Sequence, residues 1–254
     1  MKILVSNDDG INSEGIYKLA KELTKLGKVI VVSPESERSA SGHSITMHKP
    51  LRSNRVDFFG SDIEAWSING TPSDCVKFAL EVLAKGEIDL VVSGINKGPN
   101  MGTDVLYSGT VSAAIEGALY DKPSIAFSLC CNEKCNFDTA SVLAADICKK
   151  LYSFGIEKDT VINVNIPYCP IEKIKGIKIT KLGVRKYKNS FVKRKDPRGR
   201  SYYWLAGELD EVEDNEDTDI RAIKDNYVSI TPIKIDLTNE EIYKKMKEKD
   251  WDLF

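Results

Sequence analysis

The sequence predicts an α/β fold built on a mostly parallel sheet. Short, continuously apolar segments are typical of strands that are buried on both faces. Segments with apolar residues at helical spacing lie between them along the chain. This alternation is typical of a parallel sheet that is covered by helices on both faces. The strands are predicted at residues 2–7, 29–33, 88–93, 123–129 and 160–165.

The helices are predicted at residues 15–26, 71–85, 110–120 and 139–152. In the first of them the apolar residues that recur at helical spacing are Ile16, Leu19, Ala20, Leu23 and Leu26. Thr71 is a favourable N-cap for the second helix, and Pro72 suits its first turn.

The last third of the chain differs from the rest in its pattern of apolar and charged residues. Residues 177–182 and 227–235 are predicted strands, and residues 238–249 form a highly charged predicted helix. Trp251 and Phe254 follow this helix. Large apolar side chains at a chain end usually need a surface on which to dock.

Two charged segments lie between these last two strands. Residues 185–200 hold eight basic residues and one acid, and residues 208–219 hold eight acids and no base. They form either a solvent-exposed segment in which the opposite charges face each other, or an arm that contacts another subunit. We therefore predict an α/β core over residues 1–182. Residues 183–254 are predicted as a C-terminal extension for oligomerisation, made of a β arm, a returning strand and a terminal helix.

The composition sets further bounds. The chain has 254 residues, 42% of them hydrophobic. Its formal charge of −2 shows no excess of basic residues, which disfavours general binding to nucleic acids. No segment is apolar enough to span a bilayer, and the N-terminus resembles a first strand rather than a signal peptide, so a cytoplasmic location is expected. The six cysteines are therefore not expected to form disulfides. The CCNEKC segment, residues 130–135, lacks a CxxC pair and a nearby histidine, which disfavours a zinc site.

Two adjacent acids, Asp8 and Asp9, follow the first predicted strand. Ligands of open parallel sheets bind beyond the carboxyl ends of the strands. Gly10 permits a tight turn, so that both acids can serve one site. Two neighbouring carboxylates repel each other, and a bound divalent cation relieves that repulsion. The alternative is that one of the two acids caps the helix that follows.

A later strand end carries polar residues of the same kind. Asn96 and Asn100 follow the strand at 88–93, and Ser108, Gly109 and Thr110 open the next helix. The backbone N–H groups of a helix N-terminus, with the two hydroxyls, form a cradle for an anion. The alternative is an ordinary hydroxyl cap.

The loop after the second strand contributes two more candidates. Ser39 offers a hydroxyl ligand, and His43 either protonates a leaving group or orders the loop. Two carboxylates, an amide and a hydroxyl form an all-oxygen ligand set, which suits Mg²⁺, Mn²⁺ or Ca²⁺. A metal beside an anion cradle indicates phosphate chemistry, with Asp8 or Asp9 as the base.

These segments together resemble the SurE family, the survival-protein-E nucleotidases. The resemblance extends from the N-terminus almost to the C-terminus, with one departure at Asp217, where a glycine is usual before Thr-Asp. The matching motifs are NDDG at 7–10, SGHSIT at 41–46, NGTPSDCV at 69–76, SGIN at 93–96, YSGTVSAAIEG at 107–117, DPRGRSYYWLAG at 196–207 and YVSITPIKIDLT at 227–238.

The resemblance implies a Rossmann-like three-layer sandwich whose C-terminal extension forms homodimers or homotetramers. It also implies a metal-dependent phosphatase that acts on nucleoside 5′- and 3′-monophosphates and on short-chain polyphosphate. By motif, the metal ligands would be Asp8, Asp9, Ser39 and Asn96, and the phosphate would be held by Asn100, Ser108, Gly109 and Thr110. The catalytic candidates are Asp8, Asp9 and His43.

Other classes fit less well. A haloacid-dehalogenase-type phosphatase needs a nucleophilic aspartate where this chain has Asn7. A phospho-receiver module is much shorter than this chain, and a redox dinucleotide-binding domain needs a GxGxxG motif that NDDGING does not supply. A non-catalytic module that senses nucleotide or phosphate remains an open alternative.

Overall fold

A computed structural model of the chain describes residues 1–85, 87–132, 134–189, 191–210, 215–249 and 251. The strands are β1 (Lys2–Ser6), β2 (Lys28–Pro34), β3 (Ser53–Arg55), β4 (Glu64–Ile68), β5 (Leu90–Lys97), β6 (Ser124–Cys130), β7 (Thr160–Pro167), β8 (Ile177–Ile179), β9 (Lys186–Lys188), β10 (Phe191–Lys195), β11 (Ser201–Leu205), β12 (Glu208–Asp210) and β13 (Val228–Lys234). The helices are α1 (Glu14–Leu23), α2 (Pro72–Phe78), α3 (Gly109–Leu119), α4 (Asp138–Phe154), α5 (Asp219–Lys224) and α6 (Glu240–Lys247).

One large sheet organises the described chain. Its strand order is β3-β4-β2-β1-β5-β6-β7-β13-β8. The strands from β4 to β7 run parallel, whereas β3 and β13 run antiparallel to their neighbours β4 and β7. The predicted parallel sheet is therefore confirmed, with antiparallel additions towards both edges.

The sheet is covered on both faces, as the continuous apolar strands predicted. In β1, Ile3 and Val5 pack with the buried faces of α1 and α4. Leu4, between them, packs on the other face with residues of α2 and α3. Successive side chains of a strand point to opposite faces, so the unbroken apolar run of β1 serves both layers. The result is a three-layer, Rossmann-like α/β sandwich.

The order of the strands defines a crevice. From β1 the chain moves outwards to β2 and β4, and it then returns to the other side of β1 as β5. The order therefore reverses between β1 and β5. In open α/β sheets, ligands bind beyond the carboxyl ends of the strands at such a reversal. The two acids and Asn96 follow or end these two strands.

Several element boundaries differ from the predictions. The helix predicted at 71–85 is α-helical only to Phe78 and then continues as a wider π-helical turn over Ala79–Leu83. The strand predicted at 88–93 extends through a register shift to Lys97. The short strands β3 and β4 and the helix α5 were not predicted. In β4 the side chains of Glu64 and Trp66 are only partly buried, so the apolar run that marks the inner strands is missing.

The C-terminal region divides between the main sheet and a projecting arm. The returning strand, β13, lies in the main sheet between β7 and β8. In the arm, β10 pairs with β11, and β9 pairs with β12. Glu208 lies opposite Lys188, and Asp210 lies opposite Lys186, so oppositely charged residues of the two segments face each other. The indole N–H of Trp251, beyond the end of α6, donates to the carbonyl of Met246 in that helix at 2.6 Å, and Phe254 lies outside the described residues.

One expectation about the cysteines was wrong. Cys131 and Cys135 form a disulfide in the loop that follows β6. The expectation rested on chain size and the missing export signal, which say nothing about the distance between two particular thiols. Cys75, Cys130, Cys148 and Cys169 are free. No helix among the described residues is both long and apolar enough to cross a membrane.

Candidate metal and phosphate site

The turn after β1 is held by Asn7, which is fully buried. Its side-chain amide donates to the carbonyl of Gly10 at 3.1 Å and to the hydroxyl of Ser13 at 2.7 Å. Its carbonyl oxygen accepts from the hydroxyl of Ser33 in β2. Gly10 has a φ of +92°, as expected for a tight turn that needs glycine. The turn thereby presents Asp8 and Asp9 at the end of β1, and Ser13 rather than either acid is the N-cap of α1.

Asp8 reaches the N-terminus of α3. Its carboxylate accepts a hydrogen bond from the hydroxyl of Thr110. The side chain is largely buried, and this desolvation raises the pKa of Asp8, although the bonds from Thr110 oppose the rise. Asp8 is thus a carboxylate that the fold keeps away from water beside a helix N-terminus.

Asp9 reaches the end of β5. Its Oδ2 accepts the backbone N–H of Lys97 at 3.1 Å. Desolvation, followed by the nearby charge of Asp8, raises the pKa of Asp9 to about 6. Asp8 and Asp9 are consecutive in the chain and reach the start of α3 and the end of β5, respectively. The structure therefore brings both predicted acids to one crevice.

Asn96 and Ser39 each adjoin a residue whose backbone N–H bonds to one of the two acids, and Asn96 is less exposed than Ser39. Asn96 directly precedes Lys97, whose backbone N–H bonds to Asp9. The side-chain amide nitrogen of Asn96 donates to the carbonyl of Gly98 at 2.9 Å. Its side-chain oxygen accepts no hydrogen bond from the described residues. Ser39 is exposed and donates to Glu37. The N–H of the intervening Arg38 donates to the carbonyl of Asp8 at 2.7 Å, which places this loop against the acid turn.

The start of α3 packs tightly on Asp8. A Cβ atom on Gly109 would lie 2.8 Å from the Cβ of Asp8 and 2.9 Å from the hydroxyl of Ser41. A side chain at this position is therefore excluded, and the backbone of Gly109 approaches the acid directly. The hydroxyl of Ser108 accepts from the N–H of Val111 as an ordinary cap. The hydroxyls of Ser108 and Thr110 are thus both engaged with protein groups.

Asn100 occupies a different part of the crevice. Its amide nitrogen donates to Ser128 of β6 at 2.8 Å. Its backbone N–H donates to Asn165 at 3.0 Å, and its carbonyl accepts from the amides of Asn163 and Asn165. These bonds tie the loop after β5 to the ends of β6 and β7. The predicted phosphate ligand Asn100 is therefore already part of a buried amide network.

His43 contacts a buried acid that the sequence analysis did not single out. Its Nε2 lies 2.8 Å from the carboxylate of Glu116, whose side chain is 6% exposed. The ammonium of Lys77 lies 3.5 Å from the other carboxylate oxygen. Glu116 lies about two turns along α3 from Gly109. The pair therefore fastens the loop of His43 to α3.

Other site residues also escaped the sequence analysis. Glu37 acts electrostatically on both Asp8 and Asp9, and its charge contributes to their raised pKa values. Its position in an ESER segment is typical of a solvated loop, so the pattern contains no signal of this role. The role of Asn7 could have been inferred, because a buried asparagine before a glycine turn often bonds to the local backbone.

The donor set fits a hard divalent cation. No three His, Cys, Asp or Glu side chains cluster as metal ligands within the described ranges. The predicted set, however, contains only two residues of these types. It consists of two desolvated carboxylates, the free side-chain oxygen of Asn96 and the hydroxyl of Ser39, all oxygen donors that Mg²⁺ or Mn²⁺ prefer. A dication would offset the repulsion that raises the pKa of Asp9.

Fold and site together define a doubly wound α/β protein with a paired-carboxylate site at the reversal of its strand order. The family model described as "Survival protein SurE" matches residues 3–189. The chain belongs to the SurE family. The 5′-nucleotidase SurE of Alkaliphilus metalliredigens is 55% identical over 251 residues, which cover 97% of this chain and 98% of the relative.

Other relatives agree with this assignment. The 5′-nucleotidase SurE of Moorella thermoacetica is 51% identical over 239 residues, which cover 94% of this chain and 92% of that protein. The crystal structure of the SurE protein from Aquifex aeolicus superposes with a TM-score of 0.86 at 44% identity. That match covers 97% of this chain and 98% of the other, and it confirms the α/β fold.

Proposed function

We propose that the chain is a divalent-metal-dependent phosphatase that hydrolyses nucleoside 5′-monophosphates to nucleoside and phosphate. The observation that carries the proposal is the placement of two desolvated carboxylates, one against the N-terminus of α3 and the other against the end of β5. The relatives named 5′-nucleotidase SurE support the substrate class. Activity on 3′-monophosphates and on short-chain polyphosphate is part of the proposal.

The metal would be held by Asp8, Asp9, Ser39 and Asn96. A dication in such a site lowers the pKa of bound water and neutralises phosphoryl oxygens. The backbone N–H groups that open α3 would orient the phosphate, together with Ser108, Gly109, Thr110 and Asn100.

The protein's own acids and histidine supply the proton transfers. Asp8 or Asp9 would accept a proton from the water that attacks phosphorus in line, and Asp8 is preferred. His43, held by Glu116 at 2.8 Å, would protonate the leaving oxygen or order its loop. No covalent intermediate is required.

The test is phosphate release from a panel of esters. The purified protein is treated with EDTA and then supplied with Mg²⁺, Mn²⁺ or Ca²⁺, and AMP, 3′-AMP and short polyphosphate are assayed. We expect hydrolysis of AMP to vanish with EDTA and to return with a divalent ion. Asp9→Asn should lose most of the activity, whereas Asp146→Asn, at an exposed position on α4, should retain it.

The competing function is a non-catalytic nucleotide sensor. It predicts that AMP binds, as measured by calorimetry, while no phosphate is released with any divalent ion. That result would refute the phosphatase. A homodimer or homotetramer and a cytoplasmic location are further parts of the proposed function.

A further inference from the structure

A cleft of about 500 Å³ opens beside Asp9. Its walls are the first turn of α1, the side of Lys97 at the end of β5, and the loop after β6. That loop contributes Lys134, Cys135 and Phe137. A volume of this size lies within the range of small-molecule sites, which extends from about 300 to 1,000 Å³.

The loop after β6 is closed by the disulfide between Cys131 and Cys135. Cys131 is 5% exposed and belongs to the main hydrophobic core, so it anchors the loop to the sheet. Phe137, at the start of α4, packs in the same core. Lys134 lies between these two anchors and is itself exposed. The covalent bond thus holds a flexible cation at the wall of the cleft.

Two lysine side chains, Lys97 and Lys134, line this space. Neither the ammonium of Lys97 nor that of Lys134 forms an ion pair with any residue that the structure describes. Lys97 acts on Asp9 electrostatically. Ammonium groups at the rim of a cleft can donate hydrogen bonds to the hydroxyl and carbonyl oxygens of a ligand.

We propose that this cleft holds the nucleoside part of the substrate, and that Lys134, positioned by the Cys131–Cys135 disulfide, determines the affinity for nucleotides. The inference rests on the proposed function, because Asp8 contacts the start of α3, where the phosphate would lie, and its chain neighbour Asp9 lines this cleft. Lys134 donates to the sugar or base and does not touch the scissile phosphate. It is a specificity residue rather than a catalytic one.

The first test compares two substrates. AMP fills both the phosphate site and the cleft, whereas p-nitrophenyl phosphate lacks a nucleoside. For Lys134→Ala we expect the KM for AMP to rise about five- to tenfold, as for the loss of an exposed charged hydrogen bond, with kcat little changed. The KM for p-nitrophenyl phosphate should not change. Lys134→Arg, which keeps the charge, should restore most of the affinity for AMP.

Lys149→Ala is the matched control. Lys149 is an exposed lysine on α4, about three turns from the start of the helix, and it has no described ion pair. Its removal should leave both KM values unchanged. An unchanged KM for AMP in Lys134→Ala, or an equal rise for both substrates, would overturn the proposal.

The second test concerns the disulfide. A water-soluble phosphine cleaves the S–S bond and is itself oxidised to the phosphine oxide. Water supplies the oxygen and the two protons, and two thiols result. Reduction, or Cys131→Ser with Cys135→Ser, should raise the KM for AMP as Lys134→Ala does. The combination with Lys134→Ala should add nothing further, because both changes remove the same interaction.

The role of the disulfide would be overturned if reduction left the KM for AMP unchanged. It would also be overturned if the effects of reduction and of Lys134→Ala on that KM were additive. Mass spectrometry that finds two free thiols at these positions in the unreduced protein would overturn it as well. If wild type hydrolyses neither substrate, both the proposed function and this inference are refuted. If wild type hydrolyses both and Lys134→Ala behaves like wild type, only this inference fails.

Discussion

The surroundings of Asp8 and Asp9 disfavour the ionised form of both carboxyl groups. Burial raises both pKa values, and the charge of Asp8 adds to the effect on Asp9. In the unfolded chain each pKa returns to its ordinary value of 3.8. Between pH 4 and pH 6 the native state therefore binds more protons than the unfolded state, and the free energy of unfolding falls as the pH rises. For Asp9 alone the cost at pH 7 approaches about 3 kcal/mol.

This gives a prediction for the metal-free protein. Asp9→Asn keeps the shape of the side chain and removes its charge, so it should raise the free energy of unfolding at pH 7.5 by about 1–3 kcal/mol. The difference should shrink towards pH 4.5, where Asp9 is protonated in wild type. Urea unfolding at the two pH values measures it.

The same variant also tests whether Asp9 binds the divalent cation. Mn²⁺ should raise the melting temperature of wild type, because it binds only the native state, and should have little effect on Asp9→Asn. A variant that is no more stable than wild type at pH 7.5 would contradict the electrostatic account of this site.

Gly109 shows how closely backbone and acid are packed. Gly109→Ala would place a Cβ 2.8 Å from the Cβ of Asp8, an atom that cannot move without the backbone. We expect phosphate release to fall at least about tenfold, because small displacements of catalytic groups have large effects on rate. Steady-state kinetics on AMP measures this loss.

Gly117→Ala is the control on the same helix. Its new Cβ would lie 2.5 Å from the hydroxyl of Ser124 and 2.8 Å from the Cβ of Val91, away from the acids. It should lower the free energy of unfolding by about 1–3 kcal/mol while the activity per folded molecule stays near that of wild type. Normal turnover in Gly109→Ala would show that Asp8 tolerates displacement.

At the scale of elements, the C-terminal region braces the segment that leads into α3. The buried carboxylate of Asp219 accepts the backbone N–H of Gly102 at 2.8 Å and that of Gly183 at 2.8 Å. Tyr187 donates to Asp104 at 2.6 Å, and Thr103 donates to the carbonyl of Arg185 at 2.7 Å. The Thr-Asp pair after Asp217 thus supports the segment that precedes α3.

We predict that Asp219→Asn loosens this segment. An amide has one acceptor oxygen where the carboxylate has two, so at least one backbone N–H loses its partner, at a cost of about 1–3 kcal/mol each. Amide hydrogen exchange over residues 102–108 should accelerate. Asp217→Asn, at the exposed position of the same loop, should leave that exchange unchanged. Unaltered protection in Asp219→Asn would place the support of α3 elsewhere.

At the scale of the molecule, both faces of the arm formed by β10 and β11 expose large apolar side chains. Phe191, Tyr203, Trp204 and Leu205 are each more than half exposed. A two-stranded ribbon is marginally stable alone, and contiguous exposed apolar residues are typical of an interface. The arm therefore supports the proposed homo-oligomer.

We expect Trp204→Lys to reduce the oligomer to a smaller species. Size-exclusion chromatography with light scattering measures the mass, and circular dichroism checks that the secondary structure is retained. Phe154→Lys changes an even more exposed aromatic residue at the end of α4, outside the arm, and should leave the mass unchanged. A monomeric wild type would refute the oligomer itself.

Much of this molecule follows from local pattern. Continuous apolar runs and helical spacing predicted the parallel strands and the helices that flank them, because burial on one or both faces imposes a period on the sequence itself. Gly10 and the carboxyl end of β1 placed Asp8 and Asp9 at a ligand crevice for a similar reason, since a turn and a strand end are decided within a few residues. The metal and phosphate roles of these residues stay predictions.

Only the tertiary structure decided which distant side chains meet. The pairing of His43 with Glu116, the bond from Thr110 to Asp8 and the clamp of Asp219 on Gly102 join residues far apart in the chain. The order of the strands and the packing of the layers bring these partners together, and neither leaves a local period in the sequence. The Cys131–Cys135 bond depends likewise on the path of one loop, which composition does not encode.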